Sequence, residues 1–318
     1  MRNKKGFEFS FAWLFAVLVG AVILFIAIYG ASKVIKTGGY QVGTVTAKQL
    51  SIIFEPMETG IVSGKKIEPA MLKEETRIYD KCSTKGSFGE NRISLSAKSF
   101  GAWQKPGPEG GIPVTNKYIF SSDMEEGKTV YFFSKPFEMP WKVSELIFLT
   151  TKEYCFANAP EEIKNEVSEL SLPNVKLENC SGKQERVCFG PGADCQIKVT
   201  GSCLGYDCES EYDYGYVEKN ASRVFYSGSS LMYAGIFASK DIYECNVKRL
   251  MARLAQQAAI FEEEGNFLGE KCGTMQSTGL IELRVMARGL KDSNDLLFIK
   301  EKAGEVDEQN SGAECSLW

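Results

Sequence analysis

Ten cysteines carry the clearest chemical signal in this 318-residue chain: Cys82, Cys155, Cys180, Cys188, Cys195, Cys203, Cys208, Cys245, Cys272 and Cys315. Their number is even, and none belongs to the CxxC pairs that structural zinc favours; the tightest spacings are Cys203 to Cys208, Cys188 to Cys195 and Cys195 to Cys203. They are therefore read as up to five disulfides in an oxidising space, with no metal and no other cofactor. Histidine is absent. This removes the commonest general base and the commonest transition-metal ligand, and it excludes Ser-His-Asp and Cys-His nucleophiles. No GxSxG, P-loop or GxGxxG sequence occurs, so no catalytic residue is assigned.

Three weaker constellations remain. Asp207, Glu209, Glu211 and Asp213 place carboxylates at alternate positions, which would share one face of a strand and offer oxygens to calcium. A solvated acidic loop has the same composition, and the spacing is not that of an EF-hand. Ser63 and Lys66 have the S-x-x-K spacing of serine/lysine acylases without the partner motifs. Asn220-Ala221-Ser222 and Asn179-Cys180-Ser181 are N-glycosylation sequons, suited to an exposed outer domain.

The element that must position all of this is apolar. From Phe9 to Ala31 the chain has no charge and no proline, and about 23 residues at 1.5 Å each make a helix of roughly 34 Å, enough to cross a bilayer. Trp13 and Tyr29 stand near its two ends, where amphipathic rings favour headgroups. Arg2, Lys4 and Lys5 precede it, against Lys33 and Lys36 after it, which orients the N-terminus to the cytoplasm. Bulky Tyr29 and the length of the run argue for an uncleaved anchor over a removed secretory signal. Every cysteine then lies outside, in agreement with the disulfide reading.

Lys4-Lys5-Gly6-Phe7, followed by Glu8 and the apolar run, resembles the N-terminus of type IV prepilins. That resemblance implies cleavage between Gly6 and Phe7 and assembly of the helix into a filament. It covers about the first thirty residues, and Phe11 stands where that family carries a glutamate. The whole chain is also similar to membrane-anchored archaeal surface proteins, through its KKGFEFSF start, its cysteine-containing ectodomain and the late helix Tyr243 to Leu250. That similarity implies no particular activity.

A net charge of −4 offers no basic excess for phosphates, so nucleic acid is not an expected partner. Hydrophobic residues make up 44%, enough to build a core, which argues against wholesale disorder. The pattern divides into a cytoplasmic 1–8, a transmembrane helix 9–32, a juxtamembrane helix or stalk 33–56 ending before Pro56, a β-rich ectodomain 57–228 and a helical region 229–318. Short β runs such as Arg92 to Ser96 and Thr129 to Ser134 alternate with Gly, Pro and Asn, and one helix follows Pro160. The last third predicts an apolar helix from Leu231 and a second capped by Asp241 and ended by Gly265. A third runs from Thr278, and a loose tail follows from Gly304 to Gly312. Two helices paired as a hairpin would bring Cys245 to Cys315. The expectation is an α+β, single-pass surface protein, structural, adhesive or protein-binding, with the lipid bilayer and an envelope or cell-surface protein as partners. A self-assembling pilin-like subunit and a histidine-free carboxylate hydrolase are the alternatives.

Overall fold

A computed structural model describes residues 11, 13–30, 54–60, 67–99, 101–103, 106, 111–180, 182–190, 195–203, 211–272 and 277–318. Helix α1 contains the apolar window Trp13–Gly30, whose mean hydropathy is 2.5. None of that window is buried against the rest of the chain. Its large apolar side chains, from Val19 at 38% to Phe11 at 82% exposure, face outward on all sides. A soluble core helix would bury one stripe. The expected juxtamembrane helix falls mostly outside the described residues. A short helix, α2 (Glu55–Glu58), carries Pro56 in its first turn, where a missing N–H costs nothing.

The protein is mixed α+β. Seven strands form the first sheet: β1 (Ala70–Ser83), β2 (Glu90–Ser99), β3 (Ala102–Trp103), β4 (Ile112–Thr115), β5 (Tyr118–Phe120), β6 (Met124–Glu138) and β7 (Lys142–Thr150). Their order is β3-β2-β1-β6-β7-β5, with β4 on the flank of β2. The pairs are antiparallel except β5 with β7. The run in β7 is nearly continuous in apolar residues because both of its faces are buried. Leu146 and Phe148 enter the main core, while Ile147 and Leu149 enter a second one that Phe54 and Met57 of α2 help to fill.

Six strands form the second sheet: β8 (Tyr154–Ala157), β9 (Val175–Leu177), β10 (Glu185–Phe189), β11 (Ile197–Ser202), β12 (Tyr214–Lys219) and β13 (Ser222–Ser227), in the order β13-β12-β11-β10-β8-β9. Strands β8 to β11 pair in parallel, and β12 is antiparallel to both β11 and β13. Helix α3 (Glu161–Leu170) makes the β8-to-β9 crossover, beginning after Pro160 with Glu161 and Glu162 in its first turn, where acids suit the dipole.

Helix α4 (Ser229–Phe237) is buried all round, touching strands of both sheets. A Cβ on its Gly235 would lie 2.8 Å from Val217, so only glycine permits that approach. Helix α5 (Lys240–Cys272) crosses both sheets with its first half, burying Ile242, Tyr243, Val247, Leu250, Met251 and Leu254. It starts at Lys240, so Asp241 lies inside its first turn rather than capping it. It also passes through Gly265. One glycine costs a helix about 1 kcal/mol, and packing against α6 (Ser277–Arg288), including an Arg284–Glu262 ion pair of 2.7 Å, outweighs that. Helix α7 (Leu296–Ser311) extends through the stretch expected to be a loose tail. Ala303, Val306 and Asn310 are buried along one side of it, and Trp318 beyond it donates to Asp307 at 2.8 Å.

Three disulfides are defined: Cys82–Cys245, Cys155–Cys180 and Cys188–Cys195. Cys203 and Cys315 are also disulfide-bonded. The expected Cys245–Cys315 pair is corrected. Cys245 faces β1 because α5 lies across the sheet at its first two turns, and a sequence without a topology cannot show this.

Candidate functional site

The long α5 is held against the first sheet by a buried polar centre. Arg249 is 1% exposed, and its five N–H donors meet five oxygens. Nε donates to Phe88 O at 2.8 Å, and Nη2 to Lys117 O at 2.9 Å and Gly89 O at 3.4 Å. Nη1 donates to Asn246 Oδ1 at 2.6 Å and to Asn91 Oδ1. Gly89 has φ +60°, and a Cβ there would sit 2.1 Å from Ser83 O and 3.1 Å from Arg249 Cδ, which makes this turn glycine-specific. Asn91 Nδ2 in turn donates to both oxygens of buried Asp80, at 3.0 and 3.1 Å, and Ser121 Oγ donates to Asp80 at 3.0 Å. Burial pushes the Asp80 carboxyl up to about 7 despite these bonds. Arg249, Asn91 and Asp80 are all buried and every Arg249 donor is paired, so the centre ties α5 to the sheet.

What it orders lies a few residues further along. The turn from β5 into β6 carries Ser121, Ser122 and Asp123, and it is tied to the start of α5 by Ser239 N donating to Ser121 O at 3.0 Å and Ser239 Oγ to Asp123 Oδ1 at 2.8 Å. Facing it are the starts of β8, β10 and β11 and the end of β12. Between them is a cleft of about 390 Å³ lined by polar groups from both sheets: Asp123, Lys152, Glu185, Gln196, Lys219 and Asn220 among them. It sits at the N-terminal ends of the parallel strands, whereas open α/β sheets generally bind at the carboxyl ends.

Two lysines line this cleft in different states. Lys152 donates to Glu185 Oε1 at 2.5 Å. The Lys219 ammonium donates to a neutral acceptor, Ile236 O, at 3.0 Å. Burial lowers it to about 8, partly offset by the Glu185, Glu125 and Asp123 carboxylates around it. Behind the cleft, buried Glu125 accepts from Thr150 Oγ1, Thr151 N and Thr151 Oγ1, and Tyr154 has its hydroxyl raised well above its ordinary range by burial and then by Glu125 and Glu185. The cleft presents the Lys219 ammonium beside neutral hydrogen-bonding groups, Ser122, Gln196, Asn220 and Ser239. Its two lining carboxylates are already engaged, Glu185 by Lys152 and Asp123 by Ser239.

Other singled-out residues fall elsewhere. Gly6, Phe7, Ser63, Lys66, Asp207, Glu209 and Cys208 lie outside the described residues. Glu211 and Asp213 precede β12 rather than lying on a strand, and Asp213 pairs with Lys300. Among the described residues no group of three or more His, Cys, Asp or Glu is placed to hold a metal ion. Asn179 is exposed beside the Cys155–Cys180 bridge. Asn220 is exposed in the two-residue turn joining β12 to β13, where it and Ala221 both have positive φ. It lines the cleft, so a glycan there would cover the opening. Sequence reasoning missed Lys219 altogether. Its only visible signal is a lysine immediately before an Asn-Ala turn, which marks a hairpin and not a burial.

No protein-family model, curated protein or solved structure matches the chain.

Proposed function

We propose that this is a single-pass, N-terminally anchored cell-surface protein whose disulfide-braced ectodomain binds a component of the envelope or another surface partner. The observation that carries this reading is α1: an apolar window of mean hydropathy 2.5 with no residue buried in the fold, beside a domain that closes two cores of its own. Such a helix is stable in lipid and would aggregate in water. Disulfides in the remainder agree with an oxidising exterior. Alkaline carbonate extraction of expressing cells tests the anchor. The full chain stays with the membrane pellet, a Leu18→Lys/Ile23→Lys variant is depleted from it, and release of the wild type into the supernatant refutes the reading.

The same all-round apolar surface suits packing against further copies of α1, as the prepilin-like start implies. In that second reading the helix begins at Phe7 after processing and joins a filament.

A further inference from the structure

We propose that the Lys219 cleft binds an acidic saccharide, a ligand that combines carboxylates with hydroxyl groups. The site is defined by the ectodomain alone, and the proposal holds whichever side of a membrane that domain occupies.

Three observations converge on it. Lys219 presents an ammonium with three donors, of which Ile236 O takes one. Among the described residues no carboxylate lies within ion-pair distance of it, although Lys152 in the same cleft is so paired. The carboxylates that act on Lys219 from a distance, Glu185, Glu125 and Asp123, are held by Lys152, Thr151 and Ser239, so a ligand carboxylate would be its direct partner. Next, the remaining lining is rich in neutral hydrogen-bonding groups: Ser122, Gln196, Asn220 and Ser239. These suit hydroxyls, and a volume of about 390 Å³ falls in the range of small-molecule sites, about 300–1,000 Å³. Finally, the cleft does not end there. Gln196, Lys219 and Asn220 also border a second recess of about 420 Å³ that adds Lys198, Arg223 and the Glu218 carboxylate. Arg223 is committed, 3.7 Å from Glu218 and stacked 3.2 Å over the Tyr216 ring. Lys198 is exposed and in no ion pair among the described residues. The adjoining recesses share Lys219 and the second adds Lys198, neither in an ion pair among the described residues, which matches a ligand whose carboxylates repeat along a chain.

The test is titration calorimetry on the detergent-solubilised full-length chain with trigalacturonate, galacturonate, galactose, acetate and triglutamate. Trigalacturonate is expected to bind at one site per chain, tighter than galacturonate, with galactose and acetate at least tenfold weaker than galacturonate. Lys219→Met is expected to lower trigalacturonate affinity at least tenfold, and Lys198→Met about threefold for the trimer with no effect on the monomer. Lysine-specific acetylation mapped by peptide mass gives a second reading that needs no variant: trigalacturonate slows modification of Lys219 and leaves exposed Lys85 unchanged. Absence of saturable binding, wild-type affinity in Lys219→Met, or no protection of Lys219 overturns the proposal. So does triglutamate binding as tightly as trigalacturonate, which would make the site one for acidic peptides.

Discussion

Cys82 on β1 and Cys245 on α5 are joined by a disulfide that spans 163 residues of sequence, with their Cα atoms 6.0 Å apart. In the β1–β2 register Cys82 stands opposite Asn91, and Cys245 precedes Asn246. Both asparagines accept from Arg249. A covalent clasp and a buried polar centre therefore fix the same helix to the same sheet, about two to three turns from Ser239 at the Lys219 cleft.

Removing that clasp should cost more than removing a short one. On the chain-entropy account a loop this long is worth about 5 kcal/mol and one of about eight residues roughly 2.5. Cys82→Ser/Cys245→Ser is expected to lose about twice the stability of Cys188→Ser/Cys195→Ser, whose bridge spans a separation of 7. Chemical-denaturation midpoints of the two variants compare them directly, and equal losses contradict the account.

Arg249 should resist replacement, conservative or not. Arg249→Met strands the acceptors of Asn91, Asn246 and three backbone carbonyls, and breaking such a buried charge network costs about 3–5 kcal/mol. Arg249→Lys keeps the charge but offers three donors in another geometry, so it should recover less than half of the loss. The unfolding free energies of both variants check this.

Asp80 gives stability a pH dependence of known sign. Its folded carboxyl is raised to about 7 from an ordinary 3.8, so between those values the folded state holds a proton that the unfolded state releases. Its contribution is therefore fully present below pH 4 and is lost as pH rises through 7, by on the order of 4 kcal/mol. Urea midpoints should fall between pH 5 and pH 8 in the wild type and change less in Asp80→Asn. A steeper fall in the variant would contradict this assignment.

Much of the strand pattern was legible because Arg92 to Ser96 or Thr129 to Ser134 alternate or run apolar between turn residues. Tyr154–Ala157 was not: YCFA is a short, uniformly buried strand with no alternation to announce it. The final helix was hidden by composition. AGEVDEQNS looks like a solvated tail, and only Ala303, Val306 and Asn310 meet the core. Gly265 illustrates the opposite error, a local breaker overridden by tertiary packing. The cleft was illegible for a stronger reason. Asp123, Lys152, Glu185 and Lys219 come from four separate stretches, and it is the meeting of two sheets that brings them together. The cysteine count gave disulfides, but the partner of Cys245 depended on where α5 crosses β1.

The N-terminus separates the two surface readings. A stably anchored protein retains Met1 or loses only that residue, and the prepilin-like reading requires a mature chain that begins at Phe7. Edman sequencing of the membrane-extracted protein is expected to show the unprocessed start. A Phe7 start would shift the account to filament assembly.

The central claim is that α1 lies in the bilayer and holds the domain outside the cell. Protease added to intact cells carrying the full-length chain tests it most directly, followed by immunoblotting for a C-terminal tag. The account predicts that the tagged domain is cut or shed while a cytoplasmic marker survives. A full-length band that persists until the cells are lysed would contradict it.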